Sequence, residues 1–256
     1  MKVVGLLSWY DESPSWLAAA VSSFAPILDH LVAIDGAYAA YPGARSRSDL
    51  VQAETILRTA DAVGLGVTIV SPRDVWFGNE VEKRTALFRY GLVEATPYED
   101  WFVVFDADEV LTKSPSDLRT RLAYIREDAA DVTLWSRENW SEVAEDASRA
   151  IPLPGESRGS LRMFFRALPN LRVHGRHDVY IGERDGADVI VWGPEPIGPV
   201  PAANLLDVEV EHRSTRRDAA RRNASYEYYR TRDALGLEKI ATRTIETVDG
   251  SYAEIG

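Results

Sequence analysis

Asp106, Asp108 and Glu109 put three carboxylates within four residues, directly behind the apolar run Trp101-Phe102-Val103-Val104-Phe105. In an extended segment, residues two apart project to the same side, so Asp106 and Asp108 would share one side and Ala107 the other. Two hard oxygen donors at that spacing suit a divalent cation, and such a cation can grip a diphosphate. The apolar run reads as a strand buried on both faces. In open α/β sheets, ligands gather outside the carboxyl ends of the strands. The expected chemistry is metal-assisted handling of a phosphorylated ligand at the end of a buried strand. The competing reading is an acidic turn that caps a following helix. The unbroken strand, and the strand–helix units ahead of it, favour the ligand-binding reading.

The elements that must position these carboxylates can be followed along the chain. Val3 to Leu7 is a first buried strand, ending at Ser8-Trp9-Tyr10-Asp11-Glu12. Ser13 then Pro14 is an N-cap followed by a first-turn proline, opening a helix to about Phe24. Leu31 to Ile34 is a second strand with Asp35-Gly36 at its end, followed by a long loop over 37–47 that carries two tyrosines. Ser48 is expected to cap a helix with apolar positions 50, 53, 57 and 60, stopped by Gly64. Val67 to Val70 is a third strand, and Asn79 with Glu82 resembles a capping box at the start of a third helix. Strand and helix thus alternate up to Asp106, the pattern of a Rossmann-like, mostly parallel sheet.

Beyond Leu111 the rhythm changes. A helix is expected over about 116–127, strands near 132–135, 179–181 and 189–192, and a polar insertion over 141–160. Leu161 to Phe165 and Leu171 to Val173 flank a Leu168-Pro169-Asn170 turn and read as a hairpin. Val208 to His212 alternates, which puts His212 on the apolar face with Val208 and Val210. A closing helix runs over about 215–235. The expected organisation is a ligand-binding half over 1–111, a second half over 112–235 and a tail over 236–256.

The 256 residues suffice for a full core, and 45% apolar with 27% charged residues is the balance of a soluble globular protein. No apolar run reaches the length of a membrane span, and the N-terminus lacks a signal-peptide pattern, so a cytoplasmic protein is expected. With no cysteine, disulfides and thiolate metal sites are excluded. A net charge of −11 argues against broad electrostatic binding of nucleic acid. One segment departs from that balance: seven arginines lie between Arg213 and Arg232, against Asp218 and Glu227.

Taken in order, these features resemble the family 2 glycosyltransferases, enzymes of the GT-A fold, over residues 2–235 and most closely in the first half. Tyr10-Asp11-Glu12 matches the polar segment after the first strand, and Asp35-Gly36 the aspartate and glycine after the second. Lys83-Arg84-Thr85 stands where the family carries Ala-Arg-Asn, keeping the arginine and losing the asparagine. Asp106-Ala107-Asp108 is the Asp-x-Asp motif. Phe165-Arg166 and His177-Asp178 resemble a later arginine strand and His-Glu pair, with aspartate for glutamate, and His212 resembles a further histidine before the last helix.

The resemblance implies transfer of a sugar from a nucleotide-diphosphate donor, a UDP-sugar, to an acceptor hydroxyl with inversion at the anomeric carbon. It implies Tyr10, Glu12, Asp35, Arg84 and Asp106 around the nucleotide, and Asp106, Asp108 and His212 around Mn²⁺ or Mg²⁺. An imidazole ligand would favour Mn²⁺. A carboxylate must deprotonate the acceptor hydroxyl, with Asp178 and Glu138 as candidates. The acceptor is left open among a saccharide, a lipid-linked sugar, a protein side chain and a hydroxymethylated DNA base.

Three alternatives compete. Asp106 to Leu111 also matches the nucleophile motif of haloacid dehalogenase-type phosphatases, but that motif normally ends the first core strand. A nucleotidyltransferase would want a glycine-rich basic loop after the first strand, and Trp9 to Ser15 is neither. A catalytically silent nucleotide-binding module would carry the same residues, and an assay separates it.

Overall fold

A computed structural model describes residues 1–140, 152–174, 179–193, 202–213, 219–235, 245–246 and 252–253. Its first half alternates as the sequence predicts. β1 (Val3–Ser8), α1 (Pro14–Phe24), β2 (His30–Ile34), α2 (Leu50–Asp61), β3 (Gly66–Val70), α3 (Asn79–Glu94) and β4 (Trp101–Asp106) follow in turn. Parallel pairing sets Ser8 opposite Ile34 on one side and Asp106 on the other, so three strand ends finish level. Successive residues face opposite layers. Val3 and Leu7 pack with Leu17, Val21 and Phe24 of α1, while Val4 and Leu6 pack with Leu87 and Phe88 of α3. Phe24 stacks on Phe105 at 4.1 Å, tying α1 to the strand that ends in Asp106. α3 lies close on the sheet because Gly91 has no side chain; a Cβ there would stand 2.8 Å from Leu6 Cδ2 and 2.9 Å from Phe102 Cε1.

The sheet then turns mixed. After β5 (Glu109–Lys113) and α4 (Leu118–Tyr124) come β6 (Ala129–Trp140), β7 (Pro152–Arg166) and β11 (Ala203–His212). The eight strands are ordered β3-β2-β1-β4-β7-β6-β11-β5. β7 runs antiparallel to both β4 and β6, β11 parallel to β6, and β5 antiparallel to β11. Parallel pairing therefore covers the run β3-β2-β1-β4 and the β6–β11 pair, and the antiparallel β4–β7, β7–β6 and β11–β5 pairs break the mostly parallel expectation in the second half.

One connection sets the shape. β4 and β5 lie four places apart in the sheet, roughly 19 Å if it were flat at ~4.8 Å per strand. Yet only Ala107 and Asp108 join them, a link that reaches at most about 11 Å between Asp106 and Glu109. The sheet must curl, bringing its far edge back to the end of β4. His212 stands opposite Glu109 in the β11–β5 register, so the curl carries both to the end of β4.

A second sheet, β8 (Arg172–His174), β9 (Val179–Arg184) and β10 (Ala187–Trp192), packs against α3, with Tyr180 stacked on Phe165 at 4.5 Å. α5 (Ala219–Leu235) closes the described fold, and Ile245–Glu246 pairs with Tyr252–Ala253. Among the described residues no helix is long and apolar enough to cross a membrane.

Several local expectations change. Residues 152–160 belong to β7 instead of a polar insertion, since β6 offers them a partner along its length. The expected hairpin of 161–165 with 171–173 does not form. Ala167 donates to Asp100 O, which diverts the chain, and β8 pairs with β9. α2 is capped by Asp49, whose Oδ1 accepts from Val51 N at 3.2 Å, because the Ser48 hydroxyl is turned to Asp35. Leu50 and Leu57 are exposed, and the helix buries Gln52, Thr55, Ile56 and Ala60, the face that meets α1. The chain also turns at Ala107–Asp108 instead of staying extended, so the two aspartates do not project side by side along one strand.

Candidate functional site

The level ends of β1, β2 and β4 open into a cavity of about 530 Å³, within the range of small-molecule sites. Tyr10 and Glu12 line it from the segment after β1, Gly36, Tyr38 and Tyr41 from the loop after β2, and Lys83 and Arg84 from α3. Asp106 to Glu109 and His212 form one end, and α5 covers it with Arg221, Arg222, Tyr228 and Tyr229.

At the acidic end, Asp108 is 3% exposed and its Oδ2 stands 3.3 Å from His212 Nε2. The neighbouring Arg213 N donates to Asp108 O at 2.8 Å, which pins β11 against the turn. Asp106 has a different partner. Its Oδ2 accepts from Arg84 Nη2 at 2.7 Å, and Arg84 Nε donates to Glu80 Oε1 at 2.9 Å. Burial alone would lower the Arg84 pKa, but the Asp106 and Glu80 charges outweigh it and raise it well above the ordinary value. Glu109 Oε2 accepts from Asp106 N at 2.9 Å. Burial, then the charges of Asp106 and Asp108, push the Glu109 carboxyl up to about 8. Burial would lower the His212 pKa, yet the hydrogen bond to Asp108 and the Asp108, Glu109 and Asp106 charges raise it.

These groups can be tested against a divalent ion. Two donors each ~2.1 Å from one ion and about 100° apart stand roughly 3.2 Å from each other. The Asp108–His212 separation of 3.3 Å meets that requirement. The carboxylate oxygen suits Mn²⁺ or Mg²⁺, and the imidazole nitrogen tilts the preference to Mn²⁺. Among the described residues no three such side chains already converge. Asp108 and His212 thus fit as a two-donor pair, with Asp106 turned to Arg84 beside them.

The opposite end is built from cations and aromatic rings. Arg221 Nη2 donates to Tyr10 O and, at 3.1 Å, to Glu12 Oε1, and its guanidinium lies 5.0 Å from the Tyr41 ring centroid. Tyr38 and Tyr228 pack at 5.1 Å. Burial raises the Tyr38 pKa well above its ordinary value, so this hydroxyl stays protonated. Asp35 does not line the cavity. Its carboxylate accepts from Gly36 N, Ser48 N and Ser48 Oγ at 2.6–2.8 Å, folding the 36–48 loop onto the end of β2. Gly36 there has φ +103, and a Cβ would stand 2.6 Å from Pro72 Cγ.

Of the residues singled out in the sequence, Tyr10, Glu12, Arg84, Asp106, Asp108 and His212 come together around the cavity. Asp35 stands behind its wall. Glu138 lies in β6 with its backbone opposite Pro154, and its side chain is outside what the structure describes. Asp178 and His177 also lie outside the described residues. Sequence reasoning missed Lys83 and Glu109 as parts of the wall, and the tyrosines of the 37–47 loop were noted only as loop residues.

No protein-family model matches the chain, and no curated protein matches it. Among solved structures, it is similar to a chain described as a glucose-1-phosphate thymidylyltransferase from Bacillus anthracis, in complex with sucrose. The identity is 10% and the TM-score 0.36, over 64% of this chain and 72% of that one. It is also similar to a mannose-6-phosphate isomerase from Helicobacter pylori, with 10% identity and a TM-score of 0.32, over 83% of this chain and 98% of that one. At those TM-scores neither likeness carries an argument about fold or activity.

Proposed function

We propose that this chain is a metal-dependent glycosyltransferase of the GT-A type, moving a sugar from a nucleotide-diphosphate donor to an acceptor hydroxyl with inversion. The observation that carries this reading is the Asp108–His212 pair, 3.3 Å apart, beside Asp106 at the mouth of a cavity walled by arginines and tyrosines. Asp108 and His212 would hold Mn²⁺ or Mg²⁺, with Asp106 next to them. When bound, such an ion supplies positive charge that neutralises the departing diphosphate. Arg84 and Arg221 add fixed positive charge on the same cavity, where guanidinium groups suit phosphate oxygens. Tyr10, Tyr38 and Tyr41 offer ring faces for the base. The run β3-β2-β1-β4 followed by a mixed half supports the GT-A reading of the fold. Asp106 bound to Arg84 lends nothing to the phosphatase alternative.

Thermal unfolding with UDP-glucose tests the reading directly. Ligand at a hundredfold its Kd stabilises the folded state by about 2.7 kcal/mol. A rise in Tm that needs both UDP-glucose and Mn²⁺, and that EDTA removes, is the expected result. No shift with any sugar nucleotide would defeat the proposal.

The acceptor base is proposed to be Asp178 or Glu138. Each amide substitution removes the proton acceptor while keeping the side-chain shape, so Asp178→Asn or Glu138→Gln should stop transfer yet keep UDP-glucose binding. Two variants that both turn over normally would place the base elsewhere.

A further inference from the structure

Lys83 is a lysine with 1% exposure, on α3, at the cavity wall between the ends of β1 and β2. Its Nζ donates to Trp9 O at 2.6 Å and to Gly36 O at 2.8 Å. These carbonyls belong to the two segments that frame the cavity next to the β4 end. An ammonium group has three N–H donors. The third has no acceptor among the described residues and is left to the side of the Tyr38 ring, 5.5 Å away, and the cavity that both residues line.

This arrangement inverts the hydrogen-bonding character of the crevice. Two backbone carbonyls and the Asp35 carboxylate would together have offered only acceptors, a match for an N–H of a ligand. Lys83 occupies both carbonyls, and Asp35 is engaged by Gly36 and Ser48. What the crevice presents is a donor. The crevice also lies one to two strand spacings, ~5–10 Å, from the end of β4. That span suits the base of a nucleotide whose diphosphate sits at Asp106 and Asp108.

We propose that Lys83, in place of Asp35, reads the donor's nucleobase by presenting an ammonium N–H to a keto oxygen of the base. This rests on the nucleotide-sugar reading of the cavity and narrows it to donors whose base carries a keto group, such as uracil. A charge-assisted bond of this kind completes a buried cation that is otherwise one acceptor short.

Burial lowers the Lys83 pKa to about 7, partly offset by the charges of Asp35 from the end of β2 and Asp106 from the end of β4. Arg84 and Glu80 face it from α3, and Tyr38 from the loop after β2. Tyr38 and Arg84 both have pKa values raised well above their ordinary ones, so neither changes charge near pH 7. The neutral amine gives its two N–H groups to the carbonyls and turns a lone pair to the base, an acceptor against an acceptor. Recognition of a keto oxygen is therefore lost as pH rises through 7.

The experiment compares UDP-glucose with ADP-glucose, whose base has no keto oxygen, in the presence of Mn²⁺ by titration calorimetry. UDP-glucose is expected to bind roughly ten- to a hundredfold more tightly at pH 6, the penalty for leaving a buried donor unmatched. That ratio should fall about tenfold between pH 6 and pH 8, one proton being taken up with the keto ligand. Titration of His212 and Glu109 acts on both ligands alike and cancels in the ratio. Lys83→Met should bring the ratio near one while ADP-glucose still binds, and the wild-type ratio decides the matter if that variant does not fold. Equal binding of both nucleotides at every pH, a ratio that grows with pH, or a Lys83→Met variant that keeps the preference overturns the assignment. In those cases the nucleotide-sugar reading survives. Binding of neither nucleotide overturns both.

Discussion

Asp108→Asn is expected to abolish Mn²⁺-dependent binding of UDP-glucose, a loss of about a hundredfold or more, while the protein stays folded. The asparagine keeps the shape of a side chain that is 3% exposed, and the backbone bond from Arg213 N to residue 108 is untouched. What disappears is the anionic oxygen beside His212, half of the two-donor pair. Calorimetry with Mn²⁺ alone and with Mn²⁺ plus UDP-glucose reads the effect, and Tm in EDTA reads the fold.

The pH dependence carries a sign of its own. The folded pKa of His212 is raised, so the imidazolium–Asp108 attraction contributes fully below the ordinary value of 6.5 and fades as pH climbs through the folded one. A metal takes only the neutral imidazole, so Mn²⁺ affinity should rise over the same window in which that metal-free stabilisation is lost. Equal UDP-glucose affinity in wild type and Asp108→Asn, unchanged by EDTA, would sink the metal pair.

Local signals were enough for the elements and not for their partners. Pro14 and the periodicity behind it place α1 at Pro14–Phe24, since a first-turn proline fixes the backbone locally; Ser13 stands at the N-cap position, but its hydroxyl pairs with Ser15 instead of capping the helix. The buried run ending in Asp106 became β4, with alternate residues in opposite core layers. The hairpin expected around Leu168-Pro169-Asn170 failed because alternation names a strand without naming what it pairs with. The apolar positions 50 and 57 misled because α2 chose its buried face by contact with α1. Lys83 was the largest miss at the site. A charged residue in a helix reads as solvated, and its two acceptors come from residues 74 and 47 positions away in sequence. His212 was legible from alternation and family likeness, but its station beside Asp108 depends on the sheet curling back to the end of β4.

Arg84→Met should destabilise the protein by about 3–5 kcal/mol, because it takes a charged hydrogen-bond partner from a buried carboxylate. Arg84 bridges Glu80 and Asp106, at 2.9 and 2.7 Å, with side-chain exposures of 12%, 6% and 33% respectively. The Glu80 arm dominates the effect. Asp106 is partly solvated, so its share is screened and small. The guanidinium pKa is raised well above its ordinary value, so Arg84 stays charged throughout; the loss should be full where Glu80 is ionised and should shrink in acid as the carboxylates protonate. For a chain of this size it corresponds to roughly 6–20 °C in Tm. Adding Glu80→Gln removes the buried charge that Arg84 paired, so the double variant should recover part of the stability, and the cycle measures the coupling. Binding separates the two arms again. Released from Arg84, Asp106 is free to approach a metal beside Asp108 and His212, so Mn²⁺ affinity of the double variant should hold or rise. UDP-glucose affinity should fall, because a guanidinium facing the diphosphate is gone. If Arg84→Met leaves Tm unchanged, Glu80 is not ionised in its burial and the bridge is only a neighbour contact. If Mn²⁺ affinity falls with it, Arg84 positions the metal pair instead of the diphosphate.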